Sequence, residues 1–176
     1  QFKRKVSLPK PAKFNPDPLT KEELKLIMQY AMPSRRVLYM VKKDSGMRIG
    51  EGIYFRKKDI DFTKDPVEIH LSANMTKTKV ARTTFVTKET VPMLKDFVSD
   101  KEDNDMVFAT NPIHIKAQAN EEQYFTTLRK KIGIKHPRFL ERYESNKRHV
   151  ISLHTLRAYT ATQCSNAVND DFGQGI

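Results

Sequence analysis

Two residues suited to phosphate chemistry lie three positions apart in the stretch ISLHTLRAYTATQ, residues 151–163. His154 and Arg157 share one face if this stretch is helical, so an imidazole and a guanidinium could converge on a single group. A guanidinium binds phosphate oxygens through paired hydrogen bonds, and an imidazole exchanges protons near neutral pH. A solvated polar helix face is the alternative, and the pair alone does not decide between them.

A second candidate cation, Arg48, lies in the stretch DSGMRIGEG, residues 44–52. Gly46 is predicted to end a helix, so Arg48 falls at the start of the next turn, where a rigid helix end can aim its side chain. Glu51 follows three residues later and could pair with Arg48, fixing the orientation of the guanidinium. An ordinary surface pair, contributing less than about 1 kcal/mol, is the alternative interpretation.

The third candidate is a lysine in the stretch MTKTKVARTTFVT, residues 75–87, which has the pattern of a turn followed by a strand. A lysine at a turn can extend into a cleft and donate a proton, a task for which the higher pKa of arginine is unsuitable. Lys77 and Lys79 are both candidates. Solvated lysines that protect a sheet edge are the alternative.

The charge of the chain indicates a polyanionic partner. Lys and Arg outnumber Asp and Glu by 32 to 21 in 176 residues, giving a formal charge of +11 and a pI near 9.7. Nucleic acid is the predicted partner, and a basic surface that only maintains solubility is the alternative. Candidate contacts with its backbone, which the resemblance described below implies to be that of double-stranded DNA, are Lys79, Arg82, Lys116, Arg129 and Lys130, with Arg4, Lys5, Lys10 and Lys13 near the N-terminus.

Composition also bears on cofactors and location. Cys164 is the only cysteine, so these 176 residues can form neither an internal disulfide nor a cysteine-based zinc site. We predict no metal and no other cofactor, because the remaining histidines are scattered: His70, His114, His136 and His149. We find neither a signal peptide nor an apolar run of the roughly 18 residues that span a bilayer. We therefore expect a cytoplasmic protein without a membrane partner.

Capping residues and apolar periodicity predict the helices that would position these side chains. Thr20 and Glu23 form a capping-box pattern before the first helix, and Gly46 would end the second. Thr87 is the predicted cap of a later helix, and Ser152 that of the last one, before a polar tail at 169–176. The predicted helical ranges are about 21–31, about 34–44, 88–100, 118–133 and 152–168.

A small sheet completes the predicted architecture. Two segments rich in β-branched residues, 67–71 and 80–87, flank a polar loop and predict an antiparallel hairpin. The run 106–110 is short and apolar, and 137–149 is charged, either a loop or a short helix. The fold class is therefore mainly α with a small antiparallel β-sheet.

The chain is predicted to form one domain preceded by an arm. Residues 1–18 contain four prolines and five lysines or arginines without periodicity, which is typical of an extended basic arm or interdomain linker. Residues 19–176 have the length of a single domain. Because Gln1 stands in place of methionine, we expect the chain to be part of a longer protein.

Together the three motifs resemble those of the tyrosine recombinases, or phage-type integrases. SGMRIGE resembles the family's motif around its first arginine, with Ser45 in place of the usual threonine. TKTKVARTTFVT resembles its β-hairpin lysine segment, with Lys77 in the lysine role, although Lys79 stays an alternative. LHTLRAYTAT resembles its Leu-His-x-Leu-Arg-His box, with Ala158 where histidine is common. The resemblance covers residues 20–170 and implies that family's catalytic-domain fold.

This resemblance implies a metal-independent reaction through a 3′-phosphotyrosyl intermediate. Arg48 and Arg157 would bind the non-bridging oxygens of the scissile phosphate and stabilise the charge of the transition state. Lys77 would protonate the departing 5′ oxygen, and His154 would position the phosphate and handle the proton of the nucleophile. Glu51 would support Arg48.

The position of the nucleophile departs from the family pattern. The family's tyrosine lies well downstream of the His-x-x-Arg box, whereas this chain ends at Ile176, nineteen residues after Arg157. We therefore expect the nucleophile to lie outside this chain, which alone would bind DNA without cutting it. The alternatives Tyr124, Tyr143 and Tyr159 are expected to have packing roles.

The resulting hypothesis is the catalytic domain of a site-specific recombinase or integrase from a prokaryotic mobile element or a virus, acting on a host chromosome. The resemblance implies a tetramer of the full-length protein on DNA, while this fragment could be monomeric. A non-catalytic DNA-binding module derived from the same family is the alternative, and a basic RNA-binding protein is more remote. Those two functions need the charge but not the motif set.

Overall fold

The computed structural model describes the backbone of residues 17–173 and the side chains through residue 166. The predicted arm therefore lies almost entirely outside the described residues, together with Arg4, Lys5, Lys10 and Lys13. Within the described residues, Asp17 N donates to the Tyr143 hydroxyl at 2.8 Å, and Leu19 is buried. The described chain is thus joined to the fold from Asp17, at the end of the predicted arm, onward.

Six α-helices account for about half of the residues that the structure describes. Both ends of the first two helices lie within one residue of their predicted positions. Loops, single 3-10 turns and the sheet connect the helices. The helices are α1 (Lys21–Tyr30), α2 (Pro33–Ser45), α3 (Ile49–Tyr54), α4 (Val91–Phe97), α5 (His114–Gly133) and α6 (Leu153–Gly173).

The ends of α1 and α2 follow from local sequence. Thr20 and Glu23 form the predicted capping box, because the Thr20 hydroxyl accepts from Glu23 N at 3.1 Å and Glu23 Oε2 accepts from Thr20 N at 2.8 Å. Gly46 ends α2 with φ of 60°, a left-handed conformation that glycine adopts without steric cost. Both predictions are confirmed.

The sheet has three antiparallel strands in the order β1-β2-β3. They are β1 (Ile60–Asp61), β2 (Val67–Leu71) and β3 (Arg82–Val86). The predicted hairpin is confirmed as β2 and β3, paired with Ile69 opposite Thr84. Strand β1 was not predicted, because two residues carry no usable periodicity.

Several predicted boundaries are wrong. Thr87 does not cap a helix: its amide and hydroxyl donate to Asp44 Oδ2 at 3.0 and 2.7 Å, and α4 begins only at Val91. Helix α5 begins four residues earlier than predicted, at His114. Helix α6 continues through the predicted polar tail as far as Gly173.

The start of α6 shows a variant of the predicted cap. Ser152 directly precedes the helix, as predicted, but the hydroxyl engaged there belongs to Thr155. It accepts from Ser152 N at 3.1 Å and lies 2.6 Å from Ser152 O. This side chain therefore satisfies one of the orphan amides that every helix leaves at its N-terminus.

Helix α2 lies between two hydrophobic cores. Leu38 and Tyr39 face a helical core built with α1, α5 and α6. Val37 and Val41 face a second core formed by the sheet, α4 and the loop residue Val107. Because both sides of α2 are packed, its C-terminal end is held rigidly, which suits a site that must position side chains closely.

No helix within residues 17–173 is both long and apolar enough to cross a bilayer.

Candidate active site

A cavity of about 620 Å³ opens where the end of α2, α3, the loop between β2 and β3, α5 and α6 meet. The residues that sequence analysis placed in the site all line it. They come from three separate segments of the chain and are Arg48, Glu51, Lys77, His154 and Arg157. The fold thus brings together side chains that are up to 109 positions apart in sequence, from Arg48 to Arg157.

Arg157 is anchored to the turn that precedes Arg48. Its Nη1 donates to Gly46 O at 2.7 Å, so a guanidinium from α6 docks on the C-terminal end of α2. The glycine is needed here because the left-handed backbone at Gly46 directs the chain into α3, with Arg48 as the residue before its first turn. The two arginines therefore reach the cavity from neighbouring points.

Other side chains donate to carbonyls at, and just beyond, the end of α2. The last carbonyls of a helix have no intrahelical partner, and here they lie in a largely buried environment. Thr160 on α6 donates its hydroxyl to Lys43 O at 2.7 Å. Lys42 Nζ donates to Met47 O at 2.8 Å, in the turn just beyond the helix. The turn that carries Arg48 is therefore fixed by tertiary hydrogen bonds.

Glu51 organises two arginines from a buried position, with only 2% of its side chain exposed. Its Oε1 lies 3.2 Å from Arg48 Nη1, and its Oε2 accepts from Arg48 N at 2.8 Å and from Arg82 Nη2 at 2.6 Å. Burial alone would raise the pKa of Glu51, but these hydrogen bonds and the charge of Arg82 bring it below its usual value. Glu51 is therefore ionised at neutral pH.

Lys77 reaches the cavity from a turn closed by Thr76. The buried Thr76 hydroxyl lies 2.9 Å from Val80 O and accepts from Val80 N at 3.1 Å. Lys77 is the first exposed residue of this turn and lines the cavity. Lys79 lies on the same turn in a left-handed conformation, with φ of 57°, and does not line it.

His154 lies one turn before Arg157 on α6, and both side chains face the cavity. Partial burial lowers the pKa of His154, and the charges of Arg157, Lys42 and Arg48 lower it further. The imidazole is therefore mainly neutral at pH 7 and can accept a proton.

The sequence profile of the phage integrase family matches residues 18–172. The chain belongs to the phage integrase family. Its members are tyrosine site-specific recombinases. No curated protein sequence matches the chain significantly.

Solved structures give the same fold. A crystal structure of XerA recombinase aligns with a TM-score of 0.61 at 23% identity, over 90% of this chain and 52% of that one. The Tn1549 transposon integrase, in complex with a circular intermediate DNA, aligns with a TM-score of 0.64 at 14% identity, over 90% and 56%. XerH recombinase bound to difH substrate gives 0.58 at 19%, over 86% and 44%. This member of the phage integrase family thus spans about half the length of these structures.

Lys42 is a cavity residue that sequence reasoning missed. It is only 1% exposed, and burial together with the nearby charge of Arg157 lowers the pKa of its ammonium to about 7. The available signal was its position: it lies four residues after Leu38, on a buried part of α2 where lysine is unusual.

Helix α5 contributes a polar face that was also missed. Its residues on the cavity side recur every three or four positions: His114, Gln118, Glu122, Thr126 and Arg129. His114 Nε2 lies 3.2 Å from Gly50 O, which ties the start of α5 to α3. The early start of this helix, which was not predicted, is what places His114 there.

The predicted backbone contacts separate into three groups. Arg129 is 8% exposed and lines the cavity. Arg82 pairs with Glu51 and is partly exposed. Lys79, Lys116 and Lys130 are exposed and lie outside the cavity. Among the described residues, no three His, Cys, Asp or Glu side chains converge as metal ligands would.

Proposed function

We propose that residues 19–176 form the catalytic domain of a site-specific DNA recombinase that cleaves and rejoins double-stranded DNA. The observation that carries the proposal is the single cavity lined by Arg48, Lys77, His154 and Arg157. These residues come from three separate parts of the chain, and a merely basic surface would not require their convergence. Membership of the phage integrase family supports the same reaction class.

Phosphate binding is the first step that the cavity supports. The scissile phosphodiester carries one negative charge and gains a second as it becomes pentacoordinate. Arg48 and Arg157 would donate hydrogen bonds to its non-bridging oxygens, where fixed donors favour the transition state over the substrate. Glu51 accepts a hydrogen bond from the guanidinium of Arg48, and the Gly46 carbonyl accepts one from that of Arg157. Each bond reduces the number of orientations available to its guanidinium.

Proton transfer would be divided between two residues. A tyrosine hydroxyl attacks phosphorus, the bond to the 5′ oxygen breaks, and that oxygen leaves as a hydroxyl with a proton from Lys77. Neutral His154 would accept the proton of the attacking tyrosine or hold it by a hydrogen bond. The lowered pKa of His154 supports this assignment, because a histidine that is already protonated could not accept.

We further propose that the nucleophile is none of the chain's six tyrosines. No tyrosine among the described residues lines the cavity, and each makes a contact elsewhere. Tyr39 donates to Glu121 Oε1 at 2.5 Å, and Tyr124 accepts from Met32 N at 2.8 Å. Tyr159 is buried in the helical core. The remaining tyrosines contact other side chains or backbone: Tyr30 with Lys131, Tyr54 with His114, and Tyr143 with Asp17.

The partners follow from the same proposal. The Tn1549 integrase and XerH structures contain DNA, and we propose duplex DNA as the substrate of this chain too. Its nucleophile would come from another segment of the full-length protein or from a neighbouring protomer in a tetramer on DNA. A DNA-binding module without catalysis is the competing function, and cleavage assays separate the two.

The sharpest test of the proposed roles exchanges the leaving atom. The full-length natural protein is given duplexes, selected from a random library for binding, with a sulfur in place of the bridging 5′ oxygen. Thiols have a pKa of about 8.5, so a thiolate leaves without protonation. We expect Lys77→Ala to slow cleavage of the oxygen substrate by about 10²–10⁴-fold and to leave the sulfur substrate near the wild-type rate.

Lys79→Ala is the matched control, because it removes the same charge from the same turn outside the cavity. It should cleave both substrates at close to the wild-type rate. A Lys77→Ala defect of equal size on oxygen and sulfur would remove Lys77 from the role of proton donor. Rescue of Lys79→Ala instead would transfer that role to Lys79.

A further inference from the structure

A second cavity, of about 340 Å³, adjoins the first one on the side of the loop that precedes α6. Four cationic side chains line it: Arg129, Arg142, Lys147 and Arg148. The two cavities share Arg129, Ser152 and His154. Whatever occupies the second cavity therefore lies next to the proposed scissile phosphate.

A hairpin-like turn presents three of these cations. Arg142 and His149 form an isolated antiparallel bridge, and Tyr143 N donates to Arg148 O at 2.9 Å. Lys147 closes the turn with a φ of 57°, and its carbonyl accepts from Arg142 Nη1 at 2.9 Å. The cations are thus held on a defined backbone instead of a mobile tail.

The positive charge of this cavity is not balanced by protein. Within the described residues, no carboxylate lies within 4.0 Å of the side-chain nitrogens of these four cations. Glu141 and Glu144 belong to the same loop, but neither lines the cavity. Clustered cations repel one another, so an anion bound here would relieve an existing cost.

Two buried nitrogen atoms in this cavity also lack hydrogen-bond partners that a bound anion could supply. Arg129 is only 8% exposed, and its Nε, a donor, has no hydrogen-bond partner. Nδ1 of His149 has none either and is a donor when the ring is protonated, whereas the ring hydrogen-bonds elsewhere to the backbone of Glu141 and Leu140. Burial and the charge of Arg142 lower the pKa of Arg129. Burial and the charges of Arg129 and Arg142 lower the pKa of His149. Buried donors without partners are costly, and functional ones commonly gain them from a ligand.

We propose that the second cavity binds a backbone phosphate of the same DNA, adjacent to the phosphate held in the first cavity. The inference rests on the proposed function for its first phosphate. Successive phosphates of a strand are one nucleotide apart, so two adjoining cation-lined cavities match a phosphodiester chain better than an isolated anion. The second phosphate would fix the register of the strand without reading its sequence.

The test measures DNA affinity as a function of salt for the double variant Arg142→Ala/Arg148→Ala of the full protein. A random-sequence duplex is sufficient, because phosphate contacts are sequence-independent. We expect the log-log salt slope to become shallower by about 1–2, and the affinity at low salt to fall by about tenfold or more. The matched control Lys64→Ala/Lys95→Ala removes two exposed lysines outside both cavities and should change neither the slope nor the affinity appreciably.

Equal losses in the two double variants would overturn the inference, because they would reflect net charge and no specific pocket. Arg157→Ala separates this result from the proposed function. A loss of affinity with Arg157→Ala but not with Arg142→Ala/Arg148→Ala would leave the first cavity standing and remove the second. A loss of affinity with Arg142→Ala/Arg148→Ala but not with Arg157→Ala would support the second cavity and count against the first. Arg148→Ala alone serves if the double variant does not fold, since this side chain is exposed.

The source of the phosphate is tested by following the imidazole of His149 by NMR. Addition of the duplex should raise the pKa of His149, because a phosphate beside it favours the protonated form. Inorganic phosphate at the same phosphate concentration should give a much smaller change. Saturation by inorganic phosphate, with no response to DNA, would overturn the assignment to the DNA backbone.

Discussion

Glu51 connects two arginines of the site through one buried carboxylate. Arg48 and Arg82 have 40% and 34% of their side chains exposed, while Glu51 has 2%. The pairs therefore join a buried anion to partly hydrated cations. Removing the anion leaves the arginines free to turn toward water, so the damage falls more on their orientation than on the stability of the fold.

Glu51→Gln tests this arrangement. The amide keeps the volume but loses the charge, so we expect the free energy of unfolding to fall by about 1–2 kcal/mol, a value reduced by the exposure of the arginines. The rate of DNA cleavage should fall by about tenfold or more. Urea unfolding and a cleavage assay measure the two effects. Glu102→Gln, an exposed carboxylate outside the cavity, is the control.

The pH dependence of the Glu51→Gln effect has a definite sign. The folded pKa of Glu51 is lowered, so its stabilising contribution is complete above the unfolded pKa of about 4.3 and is lost as pH falls through the folded value. The difference in stability between wild type and Glu51→Gln should therefore shrink below about pH 4. A difference that grows on acidification would contradict the assigned ion pairs.

Lys42 gives a pH dependence of the same sign, but at higher pH. Its pKa is lowered to about 7 in the fold, whereas an unfolded lysine has a pKa of about 10.4. Between these values the unfolded state binds more protons, so the free energy of unfolding rises with pH. Below about pH 7 the protein bears the full cost of a buried ammonium.

Lys42→Met should remove this rise. Relative to wild type, the variant should be more stable near pH 6, and that advantage should diminish by roughly 2–4 kcal/mol as pH approaches 10. Urea unfolding at several pH values measures the difference, and Lys95→Met, at an exposed position on α4, is the control. Parallel stability curves for Lys42→Met and wild type would show that the ammonium does not titrate near pH 7.

At the scale of elements, the end of α2 is the structural basis of the site. The left-handed residue Gly46 provides the carbonyl that orients Arg157 and the turn that begins at Arg48. A Cβ at Gly46 would lie 3.5 Å from Thr160 Cγ2, an ordinary contact. Any penalty of substitution therefore arises from the backbone conformation and not from a steric clash.

Gly46→Ala and Gly46→Asn form a matched pair for this element. Alanine in the left-handed region costs about 1–2 kcal/mol, and asparagine tolerates that region better. We expect Gly46→Ala to lose about that much stability in urea unfolding and Gly46→Asn to lose less, with cleavage rates in the same order. Equal stability of the two variants would mean that the backbone at residue 46 adjusts.

Local sequence predicted those elements whose ends carry their own signals. The capping box at Thr20 and the glycine after α2 placed two helices within a residue. Thr87 had the composition of a cap, but Asp44 from another element binds its amide and hydroxyl. The continuation of α6 through the predicted polar tail likewise had no capping or apolar signal that could reveal it.

At the scale of the molecule, the two cores on either side of α2 bring distant segments to one cavity. The resemblance of three motifs to one family indicated Arg48, Lys77, His154 and Arg157, and all four line it. Lys42 and the second cavity were not predicted, because both depend on tertiary packing. Lys42 becomes a site residue only through its burial, and the cations at 142–148 only through their proximity to Arg129.

The most direct test of the central claim is formation of a covalent protein–DNA complex by the full-length protein. Nicked duplexes carrying sites that the protein selects from a random library would trap the intermediate, because the short cleaved strand diffuses away. Peptide mapping would then identify the tyrosine attached to the 3′ phosphate.

We predict a covalent band for wild type and for Lys95→Ala, with a loss of at least about 10²-fold in Arg48→Ala and Arg157→Ala. The mapped residue should be none of the six tyrosines in this sequence. An undiminished band in both arginine variants, or no band from wild-type protein that binds the same DNA, would contradict the proposed recombinase site.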